Sequence, residues 1–263
     1  MTVGAIRGSG GPGSGGVEAA IRRAAQATGV DFDFLMKTAR RESAFNPNAR
    51  ARTSSAAGLF QFIEQTWLAT VKQAGARHGY GQYADLIHRG ADGRYRVAGS
   101  SRNMVLDLRF DPQAASAMAA ELTASNAAYL RGRTGQEPTA GDLYAAHFLG
   151  PAGAATLMEA AAARPGISAA ALFPEAASAN RSIFYKEGRP ATVAEVRANL
   201  SRSAGGGLPA VEGPPAVALD EREMALAARL DRLKQDQSLL ALLLETKDGS
   251  KGYGVFGPEA NAG

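Results

Sequence analysis

The chain contains no cysteine. That excludes disulfides, thiolate metal sites and a cysteine nucleophile, and it leaves the compartment open. Its three histidines, His78, His88 and His147, lie far apart with no metal-ligand spacing, so neither a metal nor a cofactor is expected. No basic-aromatic cluster is present, so nucleic acid is not an expected partner. No apolar run reaches transmembrane length. The first sixteen residues are rich in glycine and serine and lack the apolar centre of a secretory signal. β-Branched residues are sparse while alanine and glycine abound, which favours helices over strands. With 263 residues, 45% of them hydrophobic, the chain can bury a core, and one domain with appendages is the natural expectation. Net charge is +4, and residues 219–263 carry 6 basic against 8 acidic side chains, so the body is the basic part. A mildly basic body suits an anionic polymer but is also ordinary for a globular domain.

The pattern divides the chain into five stretches. Residues 1–16 read as a disordered arm. Residues 17–202 hold successive helices and form the main domain. Residues 203–218 are a Gly/Pro linker. Residues 219–246 carry Leu226, Leu230, Leu233, Leu240 and Leu244 on one helical stripe, an amphipathic element expected to dock on something. Residues 247–263 read as a flexible tail. The fold class is all-α, with at most one small hairpin around Asp92-Gly93, and a separate C-terminal helix.

Within the main domain, Val17–Thr28 has helical spacing and Gly29 as its stop. Val30–Glu42 follows, with Asp31 or Asp33 as cap. Phe60–Ala74 is a third helix, ended by Gly75. Tyr80–Ile87 is a short helix or turn. Asp111-Pro112 opens a helix to about Leu130. Thr139 with Asp142 resembles a capping box for a helix to Leu149, and Gly150-Pro151 breaks it before another helix to Ala163. Ser168–Leu172 is short, and Thr192 with Glu195 caps a last helix to about Leu200.

The stretch Arg41–Trp67 stands out. A helix runs into Glu42, and Asn46-Pro47 stops it, because a residue before proline is pushed out of the helical region. A carboxylate at a helix C-terminus faces the negative end of the dipole. That favours the protonated acid, the form a general acid needs. The bland reading is a solvated charge at a helix end. Against it stands the succession Glu42-Ser43-Ala44-Phe45-Asn46-Pro47-Asn48-Ala49, a Ser-rich loop, Gly58-Leu59-Phe60-Gln61 and then Thr66-Trp67.

This succession resembles the lytic transglycosylases of the soluble lytic transglycosylase, goose-lysozyme-like superfamily. Glu42-Ser43 matches the catalytic glutamate and its serine. Gly58-Leu59-Phe60-Gln61 matches the second motif, Gly-Leu-Met-Gln in many members. The third motif, typically Ala-Tyr-Asn-Ala-Gly, departs: here it reads Ala146-His147-Phe148-Leu149-Gly150. The resemblance implies a lysozyme-like helical domain that cleaves the β-1,4 bond between N-acetylmuramic acid and N-acetylglucosamine, with peptidoglycan glycan strands as partner. Glu42 would act first as acid and then as base, leaving 1,6-anhydromuramic ends. Glu64, Asp107, Asp111 and Asp142 read as exposed or capping residues, so a second catalytic carboxylate is not expected.

Around Glu42, the candidate substrate-binding residues are Ser43, Phe60, Gln61, Tyr144, His147 and Tyr185. Each has a blander reading: a polar cap for Ser43, a helix-start residue for Gln61, core packing for Phe60 and Tyr144. His147 is read by default as an interior histidine, and Phe184-Tyr185 as a wall closing the far side of the cleft. Two other readings stay open: a hydrolytic muramidase, and a non-catalytic peptidoglycan-binding or assembly protein on the same fold. The expected location is the periplasm or cell wall, reached without an evident Sec signal. Three partners stay open for residues 219–246: the main domain itself, a second copy of the chain, and a flagellar, secretion-system or phage-particle component.

Overall fold

The structure, a computed structural model, describes residues 14–52 and 54–204. The linker from 205, the stripe at 219–246, the tail and most of the N-terminal arm therefore lie outside the described residues. The described chain is mostly helical, consistent with a lysozyme-like fold, with two small antiparallel hairpins among the described residues.

Helix α1, Ser14–Thr28, buries Val17, Ala20, Ile21, Ala24 and Ala25, the stripe read from spacing. Gly29 follows it in the left-handed conformation. Helix α2, Phe32–Ser43, is capped by Asp31, whose carboxylate accepts from the Phe34 amide at 2.7 Å. Val30 lies before the helix rather than in it.

Helix α3 begins at Glu64 and runs to Ala74, not from Phe60. The four residues expected to start it are held otherwise. Ala57 forms an isolated bridge with Phe62, and Gln61 takes a positive φ of 48°. Trp67 is fully buried on α3, donates its indole N–H to the Val105 carbonyl at 2.8 Å and meets Phe62 edge-on at 5.2 Å. That geometry lets a large apolar ring bury without orphaning its one donor.

Helix α4, Gly81–Asp85, leads into the expected hairpin. Strand β1, Ile87–Arg89, pairs with β2, Tyr95–Val97, in the register Ile87 to Val97 and Arg89 to Tyr95. Gln65 locks this hairpin to α3. Its amide donates to the Tyr95 carbonyl at 2.9 Å and its carbonyl accepts the Tyr95 amide at 3.0 Å. Helix α5, Arg102–Asp107, carries no start signal strong enough to read in the sequence.

Helix α6, Pro112–Thr134, is the centre of the domain. Asp111 caps it as expected, accepting from Ala114 at 2.8 Å, but it continues past Leu130 and takes Gly132 into its last turn. It is buried on nearly every side and is built largely of alanine, so α1, α3 and α7 can all pack closely on it. Helix α7, Ala140–Ala163, starts with the Thr139–Asp142 capping box. At Gly150 the backbone leaves the helix (φ 74°, ψ 162°), and Pro151 restarts it. The positive φ is one only glycine adopts freely.

Three short helices follow, α8 (Ala169–Leu172), α9 (Pro174–Ala179) and α10 (Arg181–Phe184). A second hairpin, β3 (Tyr185–Lys186) with β4 (Arg189–Pro190), corrects the expectation of at most one. Each strand has two residues, too few for alternation to register in the sequence. Helix α11, Val193–Ala204, is opened by the Thr192–Glu195 box and runs beyond Leu200, packed on α7. Asp142 fastens the two helices: Arg197 meets it bidentately at 2.9 and 3.0 Å. Asp142 is therefore a buried tie as well as a cap, not an exposed residue.

Candidate active site

Glu42 sits one residue from the end of α2. The helix stops earlier than Asn46-Pro47 predicts. Ala44 and Phe45 both have positive φ, 51° and 64°, and the Ala44 amide turns back onto the Ala39 and Arg40 carbonyls. Two adjacent non-glycine residues in this region cost of order 1–3 kcal/mol each, a cost that the surrounding contacts must offset.

Those contacts are visible. Ser43 Oγ donates to the Leu59 carbonyl at 2.8 Å, tying the end of α2 to the Gly58–Gln61 turn. Gly58 donates to the Ala49 carbonyl at 2.8 Å. Gln61 Nε2 donates to the Gly58 carbonyl at 2.8 Å and to the Ala49 carbonyl at 3.3 Å. Gly58 has a φ of +80°, and a Cβ there would collide with the Arg109 carbonyl. Arg109 in turn is buried and donates to the carbonyls of Leu106, Ser55 and Phe62. Burial pushes its guanidinium below its ordinary value. The loop is thus threaded on one buried cation and one glycine.

Opposite lies α7. Tyr144 presents its ring to Arg41, whose guanidinium carbon stands 4.0 Å from the ring centre. His147 Nε2 lies 3.7 Å from Glu42 Oε1. The His147 side chain is 48% exposed, which corrects the reading of an interior histidine. Leu143, one turn earlier, and Ala146, next to it, are buried, while the histidine itself is turned out to solvent. The Glu42 side chain is 19% exposed, so its carboxyl group reaches solvent.

The remaining candidates fall elsewhere. Phe60 is buried, as are Phe62 and Trp67. Phe184 is wholly buried, stacked on Phe148 at 6.2 Å and tilted against Phe173 at 6.3 Å, so it fills the core beneath α7 instead of walling a cleft. Tyr185 is half-buried in β3 with Arg181 over its ring at 4.3 Å. The structure brings together Glu42, Ser43, Tyr144 and His147. It sets Gln61 in the supporting loop.

Arg41 is a residue that sequence reasoning passed over. Its Nε lies 3.4 Å from Glu42 Oε1, and Nη1 donates to the Ser203 carbonyl at 3.2 Å. Adjacency to Glu42 was the available signal, but charged residues at helix ends are common and its partners lie far along the chain.

These features define a mostly α domain with one partly exposed carboxylic acid, held by a threaded loop and flanked by basic groups. Residues 19–87 match the family model described as the Transglycosylase SLT domain. That match is consistent with the lytic transglycosylase superfamily. The match spans α1 to the start of β1, including Glu42 and the Gly58–Gln61 turn. No described helix is long and apolar enough to cross a membrane.

Proposed function

We propose that this chain is a peptidoglycan lytic transglycosylase in which Glu42 is the acid and then the base. One observation carries the reading. The segment that matches the SLT family model, residues 19–87, places Glu42 at the end of α2 against the Gly58–Gln61 turn, with Arg41 and His147 beside its carboxyl group. In that family's chemistry ring closure is internal and one acid serves.

In that chemistry the Glu42 carboxyl proton passes to the glycosidic oxygen as its bond to C1 of the muramic residue breaks. The glucosamine leaves as an alcohol. The muramic C6 hydroxyl oxygen then bonds to C1 and gives its proton to the Glu42 carboxylate. The enzyme ends with the proton it began with, and no water is consumed. Ser43 and Gln61 hold the loop that frames Glu42, while Tyr144 and His147 stand on the facing helix. The activity belongs at the wall, in the periplasm, and the leucine stripe of 219–246 suits docking to a flagellar, secretion or phage-particle assembly that confines the enzyme.

The test is Glu42→Gln in the full chain, assayed on purified peptidoglycan. Loss of about 10²–10⁴-fold, the usual contribution of a general acid, is expected with an unchanged melting temperature. Products lighter by one water than the hydrolytic sugars are expected from the wild type. Reducing-end products of hydrolytic mass would make it a muramidase instead. Wild-type protein that binds wall without cutting it would make it a binding protein on the same fold.

A further inference from the structure

The geometry points to Arg41 as the positioning residue of the site, one that fixes Glu42 Oε1 and so selects Oε2 as the oxygen that carries the reacting proton. This inference rests on the transglycosylase reading above. Three contacts define it. The Arg41 guanidinium lies on the Tyr144 ring at 4.0 Å, donates to the Ser203 carbonyl of α11 at 3.2 Å, and places Nε 3.4 Å from Glu42 Oε1. Those partners come from α7, α11 and α2. A flexible side chain that is 29% exposed is therefore bracketed from three sides.

The two carboxyl oxygens are not equivalent. Arg41 and His147 both address Oε1, at 3.4 and 3.7 Å. Among the described residues none bonds Oε2. A carboxylic acid donates through one oxygen at a time. With basic groups fixed on Oε1, the proton is best placed on Oε2, and that oxygen is left for the substrate. The guanidinium reaches the carboxyl group through Nε alone, while Nη1 is held by the Ser203 carbonyl. Preorganised orientation of this kind is worth rate, not binding, since a misplacement near 1 Å costs about 100-fold.

Tyr144 then acts through Arg41. It is the platform that holds the guanidinium, by a cation–π contact at 4.0 Å. This differs from a sugar contact by Tyr144, and the two make opposite predictions.

The experiment is a double-mutant cycle in the full-length protein, with kcat and KM measured on uncrosslinked glycan strands. Arg41→Ala should lower kcat about ten- to hundredfold with KM within about twofold. Arg41→Lys keeps the charge without the planar fork and should recover only part of the rate. Tyr144→Leu should lower kcat less than Arg41→Ala does. The double variant should be no slower than Arg41→Ala alone, because the ring has no other task. The inference is overturned if Arg41→Ala keeps kcat within about twofold, if KM rises while kcat holds, if Lys restores full activity, or if the two losses multiply. Should Arg41→Ala unfold, Tyr144→Leu decides alone: a KM effect overturns the inference, and a kcat effect at constant KM supports it. Failure of the transglycosylase reading is recognised separately, by wild-type protein or Glu42→Gln behaving against the preceding test.

Discussion

The two sides of the Glu42 site are built by different means. On one side, residues 44–52 and 54–62 form a loop held largely by hydrogen bonds to its own backbone, from Ser43, Gln61, Gly58 and Arg109. Among its described residues are three non-glycine residues at positive φ, Ala44, Phe45 and Gln61. On the other side, α7 before its break at Gly150 and α11 are helices joined by the Asp142–Arg197 pair, and they offer side chains: Tyr144, His147 and, through Ser203, an anchor for Arg41. The first side stores strain to fix a backbone path. The second stores none there and fixes charges. An acid that must be aimed as well as framed by charged groups needs both.

The sharpest way to break the first side is Gly58→Ala. The new methyl would meet the Arg109 carbonyl and force a left-handed alanine. Overpacking and backbone strain together should cost about 2–6 kcal/mol. Urea or thermal unfolding reads this directly. A loss under about 1 kcal/mol would mean that the loop gives way easily, and that its threading on Arg109 does not fix the site.

The second side is tested by Asp142→Asn. Burial pushes the Asp142 carboxyl up, but the bonds from Arg197 and Thr139 outweigh it and the net displacement is downward. A group whose folded value is depressed stabilises the fold above its unfolded value and loses that contribution as pH falls. The Asp142 contribution is therefore complete at neutral pH and fades below about pH 4, where a free aspartate titrates. Asp142→Asn should cost about 1.5–3 kcal/mol at neutral pH, the range for a bond to a charged group. It should also flatten the acid limb of the stability profile. An unchanged acid limb would mean that other carboxylates set it.

A smaller effect is expected from Ser43→Ala. It removes the bond to the Leu59 carbonyl and should cost about 1 kcal/mol. Because that bond joins α2 to the Gly58–Gln61 turn, activity should fall further than stability does.

The difference between the sides also explains what the sequence could disclose. The capping boxes at Thr139 and Thr192, the Asp111-Pro112 start and the Gly150-Pro151 break are decided by neighbours within four residues, and each stands where the pattern places it. Glu42 with its loop is likewise a local string, so it was legible as a unit. The start of α3 was misplaced because Phe60-Gln61-Phe62 has helical apolar spacing, while bridge pairing and Arg109, 47 residues on from Phe62, hold it as a turn. Arg41 was missed for the same reason: Tyr144 and Ser203 are remote in the chain. His147 follows the same helical spacing as buried Leu143, one turn earlier, yet its side chain is exposed, and no spacing rule separates the two.

The finest test of the comparison is His147→Ala, because it separates the charge-bearing side from simple packing. An interior histidine would leave a cavity and an orphaned polar neighbour when truncated, and the melting temperature would fall by several degrees. The observed histidine is 48% exposed and its Nε2 lies 3.7 Å from Glu42 Oε1. Exposed substitutions away from the core usually stay within about 0.5 kcal/mol, so the fold should barely register the change. Activity should register it more. One partly exposed polar contact is worth at most about 1 kcal/mol, or up to about fivefold in rate. Arg41 still holds Oε1 in the variant, which is why the loss should be much smaller than that of Arg41→Ala. Specific activity and melting temperature from one preparation decide the matter. A falling melting temperature with intact specific activity would assign His147 to packing after all, and the basic groups on Oε1 would reduce to Arg41 alone.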